Sequence, residues 1–167
     1  MSLPDHSIDP KILESAKMEF LSKGYVDASL REICKNAGVT TGALYKRFSG
    51  KESLFKAVLV PTLQDLNAIY SDVENFDYEK LNLNEMHTVW NMSEETLSKF
   101  MDFLYSHYDG FKLLLCRSEG SMYSNFLNDF VDEHTKKTMC FMEIAFQKGI
   151  APECIDQNEV HMLLTAF

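Results

Sequence analysis

The chain is poor in residues that interrupt regular structure. It has seven glycines and four prolines in 167 positions. Apolar residues recur at three- and four-residue steps, and no period-two pattern competes with them, so the expected fold class is all-α. No apolar run reaches the roughly 18 residues of a transmembrane helix, and no membrane partner is expected. The N-terminal stretch lacks a basic segment followed by an apolar core, so no secretory signal is expected either. Four cysteines, Cys34, Cys116, Cys140 and Cys154, are scattered without a C-x-x-C pair. Such spacing reads as free thiols in a reducing cytoplasm, not as a disulfide framework.

Catalytic signatures are also missing. There is no G-x-S-x-G, H-E-x-x-H, phosphate-binding P-loop or dinucleotide glycine fingerprint, so the chain does not read as an enzyme. No His, Cys and carboxylate set has metal-ligand spacing, and neither a metal nor a cofactor is expected. His107 and Asp109 lie close in sequence, but His107 reads as a polar pocket edge or a satisfied core histidine. Cys116 beside Arg117 reads as a buried thiol next to a snorkelling arginine.

What the chain does have is an uneven charge. Its net charge is −9, yet residues 1–58 carry nine Lys/Arg against seven Asp/Glu. The remainder is net −11, while residues 29–56 hold six basic and two acidic side chains. An acidic body with a small basic segment is the pattern of a module for a polyanion.

That basic segment is densely punctuated. Asp9-Pro10 reads as a helix start, and the helix "KILESAKMEFLSK" should stop at Gly24, with Ile12, Leu13, Ala16, Phe20 and Leu21 inward. Ser29-x-x-Glu32 forms a capping box for a short helix ending at Gly38. Thr40 should cap a third helix reaching Phe48, and Ser49-x-x-Glu52 a fourth reaching about Asp72. Pro61 should kink or break that helix. Further helices are expected from Ser93 to Tyr108, over "FKLLLCRS" after a break at Asp109-Gly110, from Met122 to Gln147, and from an Asp156-x-x-Glu159 box onward. The last ends on "MLLTAF" without a cap or polar tail, and the natural chain is expected to continue.

Three short helices, the second and third joined by a glycine turn, suggest a helix-turn-helix whose last helix enters the DNA major groove. On residues 40–48, Leu44 and Phe48 share the face that would pack on Ile33 and Phe20. Gly42, Ala43 and Lys46 share the opposite face. Small residues there allow a close approach to base edges. Thr40 and Thr41 offer hydroxyls, and Ser29 and Lys51 can reach flanking phosphates.

The run "SLREICKNAGVTTGALYKRFSGKESLFKAV", with "ILESAKMEFLSKGY" before it, resembles the TetR family of transcriptional regulators over residues 12–58. Ala37-Gly38-Val39, Gly42, Leu44-Tyr45, Phe48, Lys51-Glu52 and Leu54-Phe55 carry the resemblance. It implies a homodimer that binds a double-stranded DNA operator through Ser29, Thr40, Thr41, Gly42, Ala43, Tyr45, Lys46 and Lys51. It also implies a helical body that binds a small molecule. Thr41, Ala43 and Arg47 depart from residues frequent in the family, and Arg47 leans toward the core side. The domains expected are a DNA-binding domain over 1–55 and a ligand-binding and dimerisation domain over 56–167.

Aromatic and methionine richness over residues 90–142 nominates a pocket of Trp90, Phe100, Phe103, Leu104, His107, Phe111, Leu114, Tyr123 and Phe126. Plain core packing is the competing reading for each. The net −11 body favours a hydrophobic or amphipathic effector that is neutral or cationic. Met162, Leu163, Thr165 and Ala166 on the apolar final helix are the expected dimer contacts. Two functions fit: a ligand-responsive regulator, expected to be a repressor, or a dimeric helical module that senses small molecules or a protein without binding DNA. The positive charge of residues 29–56 favours the first.

Overall fold

The computed structural model describes residues 9–74, 94–151, 153 and 156–165. Among them all regular structure is helical. In chain order the helices are α1 (Asp9–Asp27), α2 (Leu30–Ala37), α3 (Thr41–Tyr45), α4 (Lys51–Glu74), α5 (Glu94–Ser106), α6 (Tyr108–Cys116), α7 (Phe126–Gln147) and α8 (Gln157–Thr165). Two compact units share the chain. The first takes the chain up to Ile69 and then Ser106–Ser124; the second takes Tyr70–Tyr105 and the chain from Asn125 onward.

The core of the first unit is built from one to three side chains per helix. Ile12, Ala16 and Phe20 of α1, Ile33 of α2, Leu44 of α3, Leu54, Phe55 and Leu59 of α4, and Leu113 of α6 are fully buried. Phe55 is the hub. Phe20 meets it edge-on at 4.8 Å between centroids, with Tyr25 at 5.1 Å and Tyr123 at 6.2 Å. Offset and edge-on geometries of this kind add to area burial.

Local signals set most helix ends. α1 is interrupted at Gly24 (φ 76°, ψ 172°), where the sequence expects it to stop, and resumes only to Asp27. The Ser29 hydroxyl accepts from the Glu32 amide, and Gly38 closes α2 in the left-handed region at φ 68°. That conformation is open to glycine without steric cost. The Ser29 amide donates to Glu19 of α1 at 3.1 Å, which ties the two helices together.

Four expectations are corrected. α3 ends at Tyr45 and does not reach Phe48. The Arg47 amide bonds to Leu44, three residues back, so the chain tightens out of α-geometry there. α4 continues through Pro61 to Glu74. Pro61 is exposed, which leaves the carbonyl it deprives of a partner within reach of water. The break between α5 and α6 falls at His107, while Gly110 sits inside α6. A Cβ on Gly110 would lie 1.9 Å from Thr62 Oγ1, so this glycine permits close approach of α6 to α4. Finally, α7 begins at Phe126 instead of Met122. Serines explain the delay. Ser121 Oγ donates to the Ser118 carbonyl and Ser124 Oγ to the Ser121 carbonyl, both at 2.6 Å, offering the backbone an alternative to helix.

In the second unit α7 and the turn after it enclose Phe141, Met142, Ala145 and Ala151, with Ile150 against them. Both halves of the Asp156/Glu159 box form. The Asp156 amide donates to Glu159 at 3.1 Å, and the Asn158 amide to Asp156 at 2.7 Å.

Candidate nucleic-acid interface

α3 is held from below by Leu44, fully buried, and from its start by Thr40, whose Oγ1 accepts from the Ala43 amide at 3.1 Å. With one face committed to the core, the others point outward. Thr40, Thr41, Gly42, Tyr45 and Lys46 are exposed and Ala43 is half-buried. Tyr45 lies on the flank of the helix, where a half-buried packed ring is the sequence expectation, yet it is 56% exposed and belongs to the accessible surface. The helix thus presents two hydroxyl-bearing residues, a glycine, an aromatic ring and a lysine on one accessible surface, a set able to donate to phosphates and lie along base edges.

The flanking residues are more engaged. Ser29 serves as the α2 cap. Lys51 Nζ donates to the Val26 carbonyl at 2.7 Å and lies 5.0 Å from the centre of the Tyr25 ring. An ammonium has three donors, so this anchoring leaves donors for a phosphate. Arg47 is not part of the accessible surface. Its Nε donates to the Asp9 carboxylate and its Nη1 to the Ala43 carbonyl at 3.1 Å.

Glu52 of α4 ties together other parts of the first unit, and its carboxylate does not close the expected box with Ser49. One oxygen accepts from the Tyr25 hydroxyl at 2.5 Å, the other from the Met122 amide at 2.9 Å. Burial, reinforced by the Glu52 hydrogen bond and charge, pushes the Tyr25 hydroxyl up to about 12. Burial and the same carboxylate also raise Tyr123. The Tyr25 amide donates to the Arg117 carbonyl at 2.8 Å, a second tie between the end of α1 and the 117–124 loop.

Residues 12–58 match the family model for bacterial regulatory proteins of the tetR family. Over these residues the chain is similar to the N-terminal domain of that family. The chain is 43% identical over 49 residues to the uncharacterized HTH-type transcriptional regulator TtgW of Pseudomonas putida, covering 29% of this chain and 37% of that protein. It is also 43% identical over 49 residues to the HTH-type transcriptional regulator SrpR of Pseudomonas putida, covering 29% and 23%. The HTH-type transcriptional regulator UidR of Escherichia coli is 36% identical over 50 residues, covering 30% and 26%. The chain thus matches well under half the length of these curated relatives. At the level of fold the similarity extends over most of the chain. A TetR-family member from Streptomyces coelicolor superposes with a TM-score of 0.60 at 17% identity, over 93% of this chain and 73% of that one. A transcriptional regulator from Aquifex aeolicus gives 0.58 at 21%, over 96% and 80%.

The residues nominated for an effector pocket fall into two groups. His107, Phe111, Leu114 and Tyr123 belong to the first unit, Phe100, Phe103, Leu104 and Phe126 to the second, and Trp90 lies outside the described residues. His107 is a satisfied histidine: Nε2 is 2.9 Å from Asp65 and Nδ1 3.3 Å from Thr62. Leu114 is buried core. Cys116 is exposed, contrary to the buried thiol expected, because it ends α6. A residue the sequence reading passed over is Thr135 of α7, 1% exposed, whose Oγ1 has no hydrogen-bond partner among the described residues. Met162 and Leu163 of α8 are 66% and 57% exposed, Thr165 is exposed, and Ala166 lies outside the described residues. Among the described residues no cluster of three potential metal ligands occurs, and no helix is long and apolar enough to cross a membrane.

Proposed function

We propose that this chain is a ligand-responsive transcriptional regulator, a repressor acting in the cytoplasm as a homodimer on a double-stranded DNA operator. One observation carries the reading. The short α3 is pinned by a fully buried Leu44, which leaves Thr40, Thr41, Gly42, Tyr45 and Lys46 exposed together in the most basic part of an acidic chain. Ser29, Ala43 and Lys51 complete the proposed DNA surface. Similarity of residues 12–58 to the TetR family supports the same reading.

The dimer rests on α8, where Met162 and Leu163 stay exposed in a helix that a second copy would cover. The effector rests on aromatic residues of the second unit, Phe100, Phe103 and Phe126, and on Thr135 of the same unit. A buried hydroxyl without a partner costs on the order of 1–3 kcal/mol, and a ligand with one polar group in an otherwise apolar body would relieve it. No catalytic role is assigned.

The test is selection of duplexes from a random-sequence pool. A two-fold dimer should recover a near-palindrome whose half-sites lie about 34–36 Å apart, or a multiple of that. Failure to retain any duplex at low salt would leave the chain as a helical module that does not bind DNA.

A further inference from the structure

We propose that Arg47 is a positioning residue for α3, acting through Asp9 and not by touching DNA. The inference rests on the DNA-binding reading for its functional consequence, but its geometry stands independently. α3 has five residues, far too few to hold a helix by propensity. Leu44 and the Thr40 cap secure its buried face and its start. One buried side chain and one cap leave rotation about Leu44 unopposed, so the direction of the last turn needs a further tie.

Arg47 supplies that tie. Nη1 donates to the carbonyl of Ala43, a residue of the reading surface, at 3.1 Å. Nε donates to the carboxylate of Asp9, the first residue of α1, 38 positions earlier. The guanidinium is a planar fork with fixed donor directions, so the two bonds set the last turn of α3 against the start of α1. A lysine, with a single point charge on a flexible stem, could not reproduce both.

Burial and charge separate this role from phosphate binding. The Arg47 side chain is 14% exposed and the Asp9 side chain 27%. The carboxylate offsets the guanidinium charge, and the pair is shielded from salt more than an open surface pair would be. Lys46, next to it, is exposed. Neighbouring cations thus divide the work, one facing outward and one turned back into the module. The sequence alone leaves Arg47 open, since nothing local marks a partner so far back in the chain.

The test uses Arg47→Gln, Asp9→Asn and the double variant. Each is measured against the duplex recovered by the wild-type protein from a random pool and against its scrambled counterpart, over a salt series. Each single variant should lose about tenfold in discrimination between the two duplexes, a coupling typical of groups in direct contact. Binding to the scrambled duplex and the salt slope should stay as in the wild type. The double variant should be no worse than either single one. A slope flattened by about one unit in Arg47→Gln with discrimination intact would make Arg47 a phosphate contact and overturn the proposal. So would a silent Asp9→Asn, or an equal loss on both duplexes that follows a reduced folded fraction. If the wild-type protein recovers no duplex, the DNA-binding reading fails on its own. Amide exchange then decides the geometry: faster exchange at residues 44–48 in both single variants upholds the positioning role, and unchanged exchange refutes it.

Discussion

The two compact units differ in how their side chains are spent. In the first, polar groups join segments far apart in the chain: Glu19 to Ser29, Asp9 to Arg47, Tyr25 to Arg117, and Glu52 to both Tyr25 and Met122. Lys17 of α1 also lies 3.7 Å from Asp109 of α6. In the second, the described polar bonds are mostly local, such as Lys137 with Glu133, Asp156 with Glu159, and Thr165 with His161. Both units leave large apolar residues exposed, among them Met18, Val26, Leu115 and Met122 in the first and Leu97, Leu127, Phe146, Met162 and Leu163 in the second. A unit tied across its own elements holds a fixed surface toward a rigid partner such as duplex DNA. A unit whose ties are mostly local is freer to adjust its surface to another chain.

The largest effect expected on that contrast is in the first unit. Phe55→Ala removes the aromatic hub and should cost about 3–5 kcal/mol of unfolding free energy by denaturant titration. A loss near that of an ordinary surface change would mean that Phe55 does not organise the unit. Gly110→Ala comes next. Its methyl would collide with Thr62, and overpacking of this kind costs about 1–3 kcal/mol. An alanine variant as stable as the parent would show that α4 and α6 can separate freely, contrary to the close approach described.

The alkaline limb of stability gives a smaller and more specific effect. Folding holds the Tyr25 proton more tightly, with the hydroxyl pushed from 10.0 to about 12. The associated stabilisation is therefore intact below pH 10 and lost as pH rises toward 12. Tyr25→Phe should reduce this loss. Tyr123, raised for related reasons, should leave a residual slope. An unchanged alkaline profile would remove Glu52 and Tyr25 as a tie within the first unit.

The smallest effects on folding belong to the second unit. Met162→Lys should change unfolding free energy by no more than about 0.5 kcal/mol, as an exposed site does, while abolishing self-association in sedimentation. A variant that stays dimeric would move the interface off this part of α8. Thr135→Val should be neutral or stabilising, because it replaces a hydroxyl unpaired among the described residues with a methyl. A clear destabilisation would show that the hydroxyl has a partner.

The same contrast explains what was legible beforehand. Ser29, Gly38, Thr40 and the Asp156/Glu159 box act within three or four residues of themselves, and their spacing is visible in the chain. The inward face of Ile12, Ala16, Phe20, Ile33 and Leu44 follows from helical period, and so does the exposure of Gly42 and Lys46, whereas Ala43 is more covered and Tyr45 more exposed than that period indicates. What was not legible depends on distant partners. Glu52 looks like a capping-box residue until Met122 and Tyr25 arrive. Gly110 looks like a helix breaker until Thr62 is beside it. Arg47 has no local sign of Asp9. The serines that delay α7 compete with the helix through side-chain bonds that an apolar periodicity does not register.

The central claim is that the first unit is a preformed DNA-reading module whose outward surface is Thr40–Lys46. The direct measurement is binding to a selected duplex across a salt series, for the wild-type protein and for Lys46→Ala. The account predicts tight binding at low salt that weakens steeply as salt rises, with a slope smaller by about one unit in the variant. Wild-type protein that shows no salt-dependent retention on duplex DNA, or a Lys46→Ala slope and affinity identical to it, would contradict the account.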